Sequence, residues 1–155
     1  QSSIIYISIY IVMNLGLFSC LFMLKRNDKY YENIDDLSGF SKNHPLIALS
    51  LLIILFSLAG IPPMAGFFAK FYLFKAIVKE SMYFLAITGL LSTVISAFYY
   101  LRIIKIIYFD QEKEKYDSDY NIGLKLTLSL STLLILLYFI YPSRLVEIVS
   151  RINII

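Results

Sequence analysis

An apolar stretch over residues 45–79 is interrupted near its middle by Gly60-Ile61-Pro62-Pro63-Met64-Ala65-Gly66. It opens as PLIALSLLIILFSLA and resumes after the interruption as FFAKFYLFKAIVK. Two adjacent prolines cannot lie inside a regular helix, because each lacks an N–H donor and its ring crowds the preceding turn. Gly60 and Gly66 on either side accept backbone angles that other residues resist. The carbonyls before the prolines are left without helical partners. In a bilayer an unpaired backbone group costs several kcal/mol, so irregular backbone survives only inside protein or beside water. The break therefore predicts a polar interior at membrane depth, as in the discontinuous helices of transporters.

The rest of the chain identifies the solvent as lipid. Its 155 residues are 59% hydrophobic and only 16% charged, where soluble domains carry about 25% charged residues. The mean hydropathy is +0.72. A bilayer core needs about 20 apolar residues in helix, and on that scale the sequence predicts four spans, at about 3–24, 45–79, 82–108 and 124–141. The second is discontinuous, and Pro45 suits a first helical turn because its missing N–H would be unpaired there anyway. Between the first two spans lies a loop of mixed charge in which Asp36-Leu37-Ser38-Gly39 reads as a turn or short interfacial helix. The tail at 143–155 spaces Leu145, Ile148, Val149 and Ile152 as one apolar helical face, so it reads as an amphipathic helix on the membrane surface. The expected fold class is an all-α integral membrane bundle, with residues 1–155 forming one membrane region.

Charge and cysteine content exclude several functions. The net charge is +3, but the basic residues are scattered through loops and helix ends, which fits membrane topology and not nucleic-acid binding. The loops after the first and third spans hold most of them, which predicts a cytoplasmic or matrix position for those loops and the opposite side for the C-terminus. Cys20 is the single cysteine and cannot hold an iron–sulfur cluster alone. No phosphate loop, metal-ligand cluster or nucleophile–base pair is visible. Trp is absent, while Tyr and Phe number 13 and 12. Such a bias marks AT-rich coding sequence, found in organelle genomes and in some bacterial and nuclear ones.

Lys70 follows the break by four residues, about one helical turn past Gly66. A lysine at a helix centre costs roughly 2.5–3.5 kcal/mol on insertion scales, and desolvation favours a neutral amine. A lysine so placed can take up and release a proton. The competing reading has it snorkel to the interface, as expected of Lys75 and Lys79 at the helix end. His44, Lys75 and Tyr99 are secondary candidates for a polar path. Tyr99, Tyr100 and Arg102 otherwise read as an aromatic belt with an anchoring cation. Asn14 is expected to hydrogen-bond between helices.

Four blocks in colinear order carry a resemblance: DLSG at 36–39, KNHP at 42–45, FSLAGIPPMAGFFAKFYLFKA at 56–76 and ISAFYYLRIIKIIYF at 95–109. They resemble the C-terminal part of NADH dehydrogenase subunit 2, an antiporter-like, proton-pumping subunit of respiratory complex I. Its subunit 4 siblings carry a glutamate where Lys70 stands, which favours the subunit 2 type. The resemblance implies that Lys70 is a proton relay in a discontinuous helix, passing protons toward the outer exit. It further implies that NADH, FMN, iron–sulfur clusters and ubiquinone sit on other subunits, leaving no cofactor or metal here. Expected partners are the other membrane-arm subunits, membrane lipids, and a separate chain supplying the N-terminal half, since the family has fourteen helices and only the last four are present. The chain is thus expected to be a fragment or a split-gene half. The expected location is the mitochondrial inner membrane, with the C-terminus on the intermembrane-space side and the bacterial plasma membrane as the other choice. Two other functions stay open: a subunit of a cation/proton antiporter, and a structural remnant bracing the membrane arm.

Overall fold

A computed structural model describes residues 2–26, 29–30, 33–111 and 121–140. Within them lie six α-helices: α1 (Ser2–Met23), α2 (Phe40–Asn43), α3 (Pro45–Ala59), α4 (Ala65–Lys79), α5 (Tyr83–Phe109) and α6 (Ile122–Ile140). The expected tail helix at 143–155 falls outside the described residues. Six helices replace four spans for two local reasons. The proline break divides the second span into α3 and α4, and the loop before it folds an extra single turn, α2. The first, third and fourth spans match α1, α5 and α6 to within about two residues.

At 1.5 Å per residue, α1 and α5 measure about 33 and 40 Å, enough to cross a bilayer. Both are long and apolar enough by composition as well. Neither α3 nor α4, with 15 residues each, reaches about 30 Å alone. Only taken together do they reach that length.

The bundle is organised around α1, which packs against α6, α4 and α3, while α5 lies against α3 and α4. Ile5, Ile9, Met13, Cys20 and Met23 form the buried side of α1, recurring at the spacing of one helical face. Ile7, Ile11, Leu15 and Phe18 on its other side are exposed yet equally apolar. The α5 helix shows the same pattern, with Leu91, Val94, Ile95 and Phe98 turned outward. Apolar residues all round a helix are the mark of lipid or of further helices beyond it. Asn14 departs from expectation. Its amide donates to the Tyr10 carbonyl of its own helix at 2.8 Å, one turn back, and not across to a neighbour.

The described residues of the polar loop form short elements. A two-residue antiparallel pair joins β1 (Lys25–Arg26) to β2 (Lys29–Tyr30). A 3-10 turn follows at Ile34–Leu37, its first backbone N–H side closed by the Asn33 N–H donating to Asp36 Oδ2 at 3.3 Å. Gly39 donates its N–H to the Ile106 carbonyl of α5 at 3.1 Å, and the buried Leu37 and Phe40 anchor the segment. The turn expected at 36–39 is thus a cap that fixes the start of α3 against α5.

Candidate functional site

The last turn of α3 explains the position of Lys70. Gly60 adopts a left-handed φ of +80°. Its N–H donates to the Phe56 and Ser57 carbonyls at 3.1 and 3.0 Å, and the Ile61 N–H reaches Phe56 at 3.1 Å. This is the Schellman closure of a helix end. In a continuing helix the Leu58 and Ala59 carbonyls would accept from residues 62 and 63. Both of those are proline, so both donors are missing. Lys70 supplies one of them, its Nζ donating to the Leu58 carbonyl at 2.8 Å.

Helical geometry directs it there. Side chains in a helix slant toward its N-terminus, so Lys70, one turn into α4, points back over the break. Its aliphatic stem crosses Gly60 closely. A Cβ at Gly60 would lie 3.1 Å from Lys70 Cδ and 3.4 Å from Nζ. The cation also faces the carbonyl end of α3, where the helix dipole favours positive charge by about 0.3–1 kcal/mol. Among the described residues no carboxylate pairs with Lys70.

The second half of the break is held by Ser57. Met64 precedes α4 and has no side chain able to cap it. The Gly66 N–H instead donates to Ser57 Oγ at 2.9 Å, so a serine of α3, 0% exposed, caps α4 from outside. Gly66 has to be glycine because a Cβ there would collide with the Ser57 carbonyl.

Lys70 forms part of the wall of a cavity of about 420 Å³ between α1, α4 and α5. Hydroxyl groups come from Tyr6 and Tyr10 on α1 and from Ser92, Thr93, Ser96 and Tyr100 on α5. Such a cavity is roomy enough for several waters, and its hydroxyls provide partners for them. The site thus sets one amine, one turn past a break in the backbone, against a hydroxyl-lined cavity.

Residues 1–96 match the family described as NADH:quinone oxidoreductase/Mrp antiporter, TM. The chain belongs to this antiporter family. It is 77% identical to the NADH-quinone oxidoreductase subunit N of Pelagibacter ubique, covering 100% of this chain and 33% of that relative. The protein of the same name from Parvibaculum lavamentivorans is 46% identical over 92% of this chain and 30% of its own length. The chain thus spans about a third of the length of the curated relatives it matches. A chain of respiratory complex I from Thermus thermophilus with bound aureothin shares the fold, with a TM-score of 0.77 at 22% identity over 90% of this chain and 32% of that one. The match agrees with the expected antiporter-like membrane bundle. These relatives are bacterial and give no support to the mitochondrial inner membrane, so the location that stands is the coarser one, integral in a membrane.

In this antiporter-family chain Gly60 lies against Lys70 and Gly66 shares its cavity wall, Pro62 and Pro63 are exposed in the break, and the three secondary candidates lie elsewhere. Lys75 is exposed, turned about 140° round α4 from Lys70 by its five-residue separation. Tyr99 points outward, 56% exposed, and its neighbour Tyr100 enters the cavity instead. His44 packs tilted against Phe40, ring centroids 5.2 Å apart, and borders a separate cavity of about 450 Å³ with Lys125, Ser50 and Ser129. Sequence reasoning missed Ser57, whose role depends on a contact nine residues away. It also missed Tyr100, which a signal could have found, since Ser92, Ser96 and Tyr100 recur every four residues as one polar stripe on α5.

Proposed function

We propose that the chain is the C-terminal antiporter-like section of subunit N, also called subunit 2, of a proton-translocating NADH:quinone oxidoreductase, and that Lys70 carries protons through it. One observation supports this most directly: the Lys70 amine is held by a neutral carbonyl that Pro62 has deprived of its helical donor. A carboxylate partner would lock the lysine in its charged form. A carbonyl accepts an N–H from the ammonium and from the neutral amine alike, so Lys70 keeps its place while its proton leaves and returns. The hydroxyl-lined cavity supplies water to take that proton.

In this reading the bacterial plasma membrane is the location. The half of the helix after the break faces the outer side, so Lys70 serves the exit arm of the route. NADH, flavin, iron–sulfur clusters and quinone act on other subunits, and the stations earlier on the route belong to the remaining two thirds of the subunit. The family name also covers cation/proton antiporters; the oxidoreductase names of the relatives favour the first assignment.

The test is Lys70→Met in the full-length subunit of the assembled enzyme. The account expects proton uptake by energised vesicles, and coupled quinone reduction with it, to fall severalfold while the enzyme still assembles. Undiminished pumping in assembled enzyme would rule out the relay and leave a bracing role.

A further inference from the structure

The cavity beside Lys70 changes character along its length. From Tyr100 back through Ser96, Thr93 and Ser92, the α5 side of the wall carries hydroxyls, whereas Gly89 and Leu85, nearer the start of α5, carry none. Ser92, Thr93 and Ser96 donate their hydroxyl hydrogens to carbonyls of their own helix, at 3.0, 2.7 and 2.9 Å. Each oxygen still has lone pairs to accept from water. On α4 the residues past Lys70 that line the same space are Leu73, Phe74 and Ile77, all apolar. The space is therefore polar beside Lys70 and the break, and apolar toward the short turn joining α4 to α5.

Phe74 stands at the change. It lies one turn beyond Lys70 on the same side of α4, and its ring rests on the bare backbone of α5. A Cβ on Gly89 would come within 2.8 Å of ring atom Cε1 and 3.3 Å of Cζ. Any larger residue at position 89 would push the ring out of this seat. Apolar groups that close on a passage exclude water and so block a proton until they part.

We propose that Phe74, seated on Gly89, is the barrier that separates Lys70 and its wet chamber from the membrane face at the α4–α5 turn. The proposal rests on reading Lys70 as the proton carrier. With the ring seated, Lys70 exchanges protons only toward the hydroxyl-lined side, and passage onward requires the ring to leave its seat. Such a barrier lets Lys70 be charged without short-circuiting the gradient.

The test uses membrane vesicles holding the assembled enzyme with the full-length subunit, assembly being checked on native gels. An imposed pH step is followed with a trapped dye and no NADH present, so that no turnover contributes. Phe74→Ala is expected to collapse the step severalfold faster than wild type. Gly89→Ala should do the same with the ring still present but displaced, and Phe74→Leu, bulky and apolar, should remain tight. Adding Lys70→Met to Phe74→Ala should restore tightness. Vesicles with Phe74→Ala that are as tight as wild type would overturn the barrier, and so would a leak that survives in the double variant. Failure of the underlying reading is seen separately, as undiminished pumping by Lys70→Met under turnover.

Discussion

Leu58, Ser57 and Lys70 take part in two exchanges across the break, in each of which a polar group on one side is used by a residue from the other. The Leu58 carbonyl takes the lysine, and the Gly66 N–H takes the serine hydroxyl. Ser57 is entirely buried, so Ser57→Ala would leave the Gly66 N–H without its serine partner in a buried position. An orphaned buried donor costs about 1–3 kcal/mol, and Ser57→Ala should lower the thermal inactivation temperature of the purified enzyme. Ser57→Thr, which keeps the hydroxyl, should restore part of it. An alanine variant as heat-stable as wild type would mean that the Gly66 N–H has another partner. At this scale the sequence is legible where the chemistry is local. Proline removes a donor wherever it occurs, so the spare carbonyls at 58 and 59 follow by counting back four residues. Ser57 and Tyr100 were not legible in that way. One acts through a contact made only after the chain folds back, and the other differs from Tyr99 merely by 100° of helical phase.

The elements show why the break is stable as well as useful. Gly60 ends α3 in the left-handed region, where a residue with a Cβ costs about 1–2 kcal/mol. Gly60→Ala adds crowding to that strain, since the new methyl would press on Lys70 Cδ at 3.1 Å. The expected outcome is a loss of roughly 1–2 kcal/mol in stability together with a weakened hold on Lys70. Both are measurable, as a lower denaturation midpoint and a reduced pumping rate in the same preparation. A Gly60→Ala enzyme matching wild type in both would contradict the helix-end geometry. The existence of α1, α5 and α6 was readable from their apolar lengths, because lipid demands a minimum span. The short α2 and the paired strands in the loop were not, since segments of two to four residues are fixed by what they dock against. Gly39 bonding to Ile106 is such a docking.

The whole molecule is a bundle with two kinds of surface. One is the packed interior around α1, and the other is a set of apolar outer faces, on which Val94 is 68% exposed and Leu126 65%. Faces of that kind are covered by lipid or by further helices, in keeping with a chain that spans about a third of the length of its relatives. The family was legible from its long colinear blocks, whereas the compartment was not, because an AT-rich composition is shared by organelles and bacteria. The central claim is that Lys70 works by losing and regaining a proton, and not merely by bearing charge at the break. The most direct measurement is the proton-to-electron ratio of vesicles carrying Lys70→Arg in the assembled enzyme. Arginine keeps the charge and can still donate to the Leu58 carbonyl, but it does not give up its proton. The account predicts a severalfold drop in that ratio; a wild-type ratio would show that a fixed charge suffices and would contradict it.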